Sequence, residues 1–358
     1  MSKTEIKKQN RLETLDHLRG FFIIVIIIDH LSRWPSVFSL ITGKALLWVT
    51  AAEGFVAISG LLVGYVRGYK NQSLPFRDVS VKLLRRALLL YVWSLIASIA
   101  YVAIIWNVHL TGGSPSTPMP AGDWRTFLVD LFTMQYTWVW VHFLTLYAIF
   151  LAASPIAIWF FRRGQAWIVA VISFALLALG WATKSEALQW QFLFFIPSIA
   201  GFYLHNIQSW WQRIGKQKQV LISTTTIGFT LLTIIISALF TFYAQSFQAA
   251  ANYINTVLFA KDSISLWRAS LAFVWFIGFM FAFYKLRAVI SKYLNWLLIP
   301  IGTHSLTAYI LHGVALCTIS FFTTSSDNYI VNSLLGLTAV MITWGLLKIP
   351  LVRRVIPA

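Results

Sequence analysis

The 358-residue chain is 58% hydrophobic and 16% aromatic but only 11% charged, and its formal net charge is +17. Soluble domains carry about 25% charged residues, so this chain lacks the polar surface to stay in solution and reads as an all-α, multi-pass membrane protein. Its basic residues form short clusters between apolar runs, which fits a membrane surface and argues against nucleic acid as a partner. The single cysteine, Cys317, excludes an internal disulfide and any cysteine-rich metal site.

A bilayer span needs roughly 17–25 mainly apolar residues, and by that measure the sequence predicts about ten helices. In chain order they cover Leu18–Ser32, Leu46–Tyr65, Leu83–Trp106, Val139–Phe161, Trp167–Thr183, Leu188–Leu204, Val220–Tyr243, Leu266–Tyr284, Ser305–Phe322 and Ile330–Leu347. The basic start and apolar core of the first span resemble a signal peptide. However, Asp29 and His30 follow the core directly and no small-x-small cleavage site comes next, so it is read as a retained helix. The first and sixth spans are short and draw on their flanks; "FIPSIAG" in the sixth is a candidate break.

Between the third and fourth spans lies "NVHLTGGSPSTPMPAGDW", rich in Pro, Gly and Ser and so irregular and exposed. Trp124–Met134 then reads as an amphipathic helix at the outer interface. Counted on alternate sides of the spans, 22 of the 28 lysines and arginines share a side with both termini. The other side holds Arg33, Lys44, Arg125, Lys184, Lys261 and Arg268. An even number of spans with this bias places both termini in the cytoplasm. Residues 1–358 read as one membrane domain without a soluble part, internal repeat or low-complexity tail. A homo-oligomer is left open.

Ionisable side chains at membrane depth cost roughly 2.5–3.5 kcal/mol on insertion scales and mark functional positions. Asp29 ends span one, Asp16 lies just before it, and Glu53 falls inside span two, seven residues from its start. Arg19 and His30 are eleven residues apart, which at about 100° per residue returns to nearly the same helix face, some 16 Å further along the axis. Arginine suits a phosphate through its planar fork, and histidine suits proton transfer near ambient pH. Each also has a plainer reading: Arg19 as an inner-face anchor, His30 as a solvated helix end, Glu53 in a structural pair with a neighbouring base. Gly54, Gly60 and Gly64 permit close helix packing, and Ser59 lies among them. Ser305, Tyr309 and His312 step by four and three and share one face of span nine, either to orient a substrate or to join two helices. His142 and Gln191, near the outer ends of spans four and six, complete the candidates. No metal site and no bound cofactor are expected.

"LDHLRG" followed by "DH" resembles the first-span signature of the acyltransferase-3 superfamily of transmembrane acyltransferases. "EGFVAISGLLVGY" looks like the second-span motif of its OpgC branch, the glucan succinyltransferases. "LLRRALLLY", "WQFLFF" and "GTHSLTAYILH" match later segments in family order. One departure is "HFLTLY" at span four, where the branch has an Asp-Ile-Leu-Pro-Leu-Tyr-like segment: His142 replaces the carboxylate and Thr145 the proline. This departure bears on acceptor recognition, so the resemblance alone does not carry over the glucan or succinyl specificity of the branch.

The resemblance implies a bacterial cytoplasmic-membrane enzyme that takes an acyl group from acyl-CoA, with acetyl- or succinyl-CoA as co-substrate. It would pass that group to a hydroxyl of a glycan or similar acceptor at the outer face. His30 would be the catalytic histidine, with Asp29 or Glu53 fixing its tautomer. Asp16, Arg19, Arg85 and Arg86 would face the donor; Ser59, His142, Gln191, Ser305, Tyr309 and His312 would orient substrate. The competing reading is a proton-coupled transporter or flippase using Asp29, His30 and Glu53 as a relay. Such proteins often carry internal repeats, and none is evident here.

Overall fold

Long apolar runs satisfy every backbone hydrogen bond internally only as helices, the one open-chain solution available in lipid. The computed structural model describes residues 3–113, 115–243, 248–324 and 326–356, and these contain no strand. The side chains of residues 3–12, 249 and 250 lie outside that description, among them Lys3, Lys7, Lys8 and Arg11 of the inner-side count. In order the helices are α1 (Lys3–Leu31), α2 (Ser39–Thr42), α3 (Ala51–Leu62), α4 (Phe76–Asn107), α5 (Trp124–Phe132), α6 (His142–Arg162), α7 (Ala166–Thr183), α8 (Glu186–Phe202) and α9 (Leu204–Arg213). There follow α10 (Lys216–Phe242), α11 (Gln248–Tyr253), α12 (Leu266–Lys285), α13 (Arg287–Tyr293), α14 (Asn295–Thr303), α15 (Ser305–Phe322), α16 (Tyr329–Leu346) and α17 (Pro350–Val355). A π-helix, Val63–Lys70, continues α3.

Among the described residues seven helices are long and apolar enough to cross a membrane, or eight if α8 and α9, bent by 60°, form one span. The first two predicted spans fall outside this set for local reasons. Helix α1 carries Asp16, Arg19 and Asp29 along its apolar part, and α3 runs for only 12 residues before the π-helix begins. The second predicted span also starts late. Residues 46–50 precede the helix, and a capping box, in which Glu53 reaches back to Thr50, starts it at Ala51. Glu53 thus sits in the first turn, not seven residues in. Pro197 does not break the sixth span; the chain continues helical through it and bends at Tyr203. The predicted interfacial helix is α5, where the Asp123 side chain accepts from Thr126 N, and Val129 and Phe132 point outward.

Burial in lipid gives helices no hydrophobic reason to associate, so close backbone packing supplies the attraction. Gly60 and Gly64 face α8, and a Cβ on either would lie 1.9 Å from the carbonyl oxygen of Phe194 or Ser198. Gly201 answers from α8, where a Cβ would lie 2.0 Å from the Leu61 oxygen. Helix α15 is the most enclosed of the helices long and apolar enough to cross a membrane. It packs on α1, α4 and α16, and buries Ser305, Tyr309 and His312 as well as its apolar residues.

Candidate active site

Among the described residues, Arg19 and His30 of α1 each make a polar contact with α15. At the start of α15 and just past the middle of α1, Arg19 Nη2 donates to Ser305 Oγ at 2.5 Å. Further along both, His30 Nδ1 meets His312 Nε2 at 2.8 Å. The contacts occur in the same order along the two helices, so α1 and α15 run parallel. The face predicted to hold Arg19 and His30 together is the face turned to α15.

The hydrogen-bond roles set the tautomers. The Tyr309 backbone oxygen can only accept, so His312 Nδ1, at 2.5 Å from it, carries a proton. With both rings neutral, His312 Nε2 is then an acceptor and His30 Nδ1 the donor. The proton-free nitrogen of His30 is Nε2, which has no hydrogen-bond partner among the described residues. Tyr309 packs edge-on to His30, with ring centroids 6.4 Å apart, and also to Phe143, at 5.9 Å. His312 therefore takes the tautomer-fixing place that the sequence reading assigned to Asp29 or Glu53.

Glu53 is occupied elsewhere. Its Oε1 accepts from Arg268 Nε at 2.7 Å and Nη2 at 2.5 Å, and its Oε2 accepts from Thr50 N at 3.0 Å and Oγ1 at 2.5 Å. Arg268 Nη1 in turn donates to the carbonyls of Ala260, Lys261 and Ser263. Both residues are buried, so this is the structural pairing that the plainer reading anticipated. Arg268 was missed as the partner because it had been counted as an outer-side charge; its place in the first turn of a span, on the side poor in basic residues, was the available signal. Lys261 lies beside the pair. Its stem is exposed while its ammonium turns in to the Leu47 carbonyl, and burial lowers its pKa to about 8. Asp29 faces the segment before α3, beside Thr42 and the Ala45 backbone, with Oδ1 sealed and unbonded. Among the described residues its hydrogen bonds go to Thr42 and Ala45 and not to the His30 ring.

At the inner end, Arg19 Nη1 lies 3.9 Å from Asp16 Oδ1, and Arg86 is near enough for its charge to act on Arg19. Burial raises the Asp16 carboxyl above its ordinary value, against the pull of Arg19. The two neighbouring arginines of α4 part company: Arg86 is half-buried on the inward side, whereas Arg85 is exposed with Leu84, Leu88 and Leu89. A lipid-facing Arg85 is placed to reach headgroups, not the Arg19 site.

The remaining candidates are mostly held by their own neighbours. Gln191 is buried, accepting from Ser173 Oγ and donating to the carbonyls of Ser173 and Leu188, so it ties α7 to α8. Ser59 donates back to the Phe55 carbonyl. His142 Nε2 donates to Glu186 Oε2 at 2.8 Å, and its Nδ1 accepts from Thr137 Oγ1 at 2.7 Å. Both nitrogens of His142 are engaged, whereas His30 keeps one open. Glu186 was not identified from sequence, because nothing local marks the first residue of α8 as a partner for α6.

A family model described as OpgC protein matches residues 11–349 of the chain. No curated protein matches it, and no solved structure does.

Proposed function

This chain belongs to the OpgC family, whose membership implies a glucan-modifying transferase of the acyltransferase type, and from that premise we propose that it is a membrane-embedded O-acyltransferase with His30 as its general base. The donor is a cytoplasmic acyl-CoA and the acceptor a hydroxyl of an extracytoplasmic glycan. The carrying observation is the parallel α1–α15 pair, with a cation at its inner end and an imidazole of defined tautomer toward its outer end.

Arg19, with Arg86, holds the donor phosphates by charge-assisted bonds at the inner mouth. Eleven residues at about 1.5 Å each separate Arg19 from His30, some 16 Å, a length that an extended pantetheine arm covers. His30 Nε2 takes the acceptor hydroxyl proton as that oxygen attacks the thioester carbonyl carbon. The tetrahedral oxyanion is met by the Tyr309 hydroxyl. On collapse the C–S bond breaks, and the imidazolium returns its proton to the departing CoA sulfur. The products are an O-acyl glycan and free CoA.

The reading carries about ten spans in the bacterial cytoplasmic membrane, with both termini inside. Contacts between helix ends support the alternation. Glu53 and Arg268 join the starts of α3 and α12, and His142 and Glu186 join the starts of α6 and α8. Arg162, at the end of α6, donates to the Asn71 carbonyl just beyond the π-helix.

The test supplies purified protein with radiolabelled acetyl- or succinyl-CoA and glucan acceptors, alongside His30→Ala. Label should enter the glucan, and His30→Ala should lower the rate by about 10²–10⁴-fold, the range for losing a general base. Release of CoA without transfer, unchanged by His30→Ala, would sink the assignment.

A further inference from the structure

The two buried arginines near the outer face differ in what surrounds them. Arg268 is 3% exposed and answered by Glu53 and three carbonyls. Arg33 is 7% exposed, and its one hydrogen bond among the described residues is a long one, Nη2 to the Thr323 carbonyl at 3.3 Å. Its Nε is sealed and unbonded, and no carboxylate pairs with it among the described residues.

The backbone turns this charge inward. Helix α1 ends at Leu31, and Ser32 follows with φ 52°, a left-handed conformation rare outside glycine, which its hydroxyl supports by donating to the Asp29 carbonyl at 2.9 Å. The chain therefore folds back and Arg33 goes under cover instead of extending into water. Gly112 closes over it from the loop after α4: a Cβ there would lie 1.7 Å from Arg33 Nη2 and 2.5 Å from the Thr323 oxygen. The loop thus leaves the guanidinium just the room that glycine provides. A desolvated guanidinium without a counter-charge is unfavourable, and its planar fork matches a carboxylate.

We propose that Arg33 is the cation of an outer-face anion site that takes a carboxylate carried by one of the two substrates. It lies three positions beyond His30, at most about 11 Å of chain, so the bound carboxylate belongs either to the far end of the transferred acyl chain or to the glycan beside the accepting hydroxyl. The choice of carrier rests on the acyltransferase reading; the anion site does not.

Two measurements on the purified full chain test this. The first follows thermal unfolding by tryptophan fluorescence with disodium succinate, with dimethyl succinate, and with sodium chloride at matched ionic strength. Succinate should raise the midpoint of the wild type, dimethyl succinate should not, and Arg33→Gln should abolish the rise. Gly112→Ala, which keeps Arg33 but pushes the guanidinium aside, should weaken the rise. It serves as the second variant if Arg33→Gln folds poorly. An equal response in wild type and variants, or none in the wild type, overturns the site and leaves Arg33 as a clasp on the end of α15.

The second compares turnover of succinyl-CoA and acetyl-CoA on a neutral glucan, and of acetyl-CoA on neutral and carboxylated glucans. Arg33→Gln should lower one of these two preferences at least tenfold, and the affected pair identifies the carrier. Two unchanged preferences overturn the carrier role. Absence of transfer with every substrate counts against the acyltransferase reading, while the unfolding measurement still decides the anion site.

Discussion

Replacing His312 with phenylalanine keeps the ring and removes the acceptor that faces His30 Nδ1 at 2.8 Å. In the variant His30 either leaves Nδ1–H unpaired or moves that proton to Nε2, where it can no longer accept one from a hydroxyl. A net hydrogen bond is worth about 0.5–1.5 kcal/mol and an unpaired buried donor costs about 1–3 kcal/mol. The competent tautomer therefore loses roughly 1.5–3 kcal/mol, which is about 10–10²-fold in kcat. The KM for acyl-CoA should not move, because Arg19 stands some 16 Å down the helix. His312→Gln should recover most of the loss if its amide oxygen accepts from His30. The assay is steady-state transfer to glucan with CoA release followed in parallel, for the single variants and for His30→Ala/His312→Phe. The double variant should be no slower than His30→Ala, since a positioning residue has nothing left to position. A wild-type kcat in His312→Phe would refute the tautomer argument, and so would a further loss in the double variant.

Glu53→Gln leaves the Arg268 charge buried without its counter-ion and should destabilise the protein by about 3–5 kcal/mol, whereas Glu53→Leu combined with Arg268→Met should recover much of that; denaturant unfolding of the three proteins decides it. Arg19→Ala and Arg86→Ala should each raise the KM for acyl-CoA, by about ten- to a hundredfold if one charged hydrogen bond of about 1.5–3 kcal/mol is lost, while Arg85→Ala should leave it unchanged. An equal effect at Arg85 and Arg86 would show that α4 does not orient them as described. For Lys261, whose folded pKa of about 8 lies below its ordinary 10.5, the unfolded chain binds the extra proton between those values. Stability should therefore rise gently with pH across that window and be flat below it. Lys261→Met should remove the rise, and parallel melting curves for the two proteins from pH 7.5 to 10.5 would contradict it.

Composition and hydropathy were enough to read an all-helical membrane protein, because apolar length is a local property and lipid permits few backbone solutions. Motif order was enough to read the family, and the eleven-residue spacing enough to put Arg19 and His30 on one face. Spacing could not say what that face meets. His30 and His312 are 282 residues apart in the chain, Arg19 and Ser305 are 286 apart, and Glu53 and Arg268 are 215 apart. Pairings at such separations depend on which helices pack together, and no local pattern encodes that. The Glu53 carboxylate found its arginine only when α12 packed against α3. His312, one polar residue in a seam of three, became the partner of His30 only when α15 lay parallel to α1. Arg85 and Arg86 were indistinguishable until α4 turned one toward lipid and the other toward Arg19. Local sequence carried the solvent, the helical class and the family; the packing of helices decided which ionisable groups neutralise one another and which histidine nitrogen stays open, because a side chain's chemistry depends on its neighbours and those arrive from distant parts of the chain.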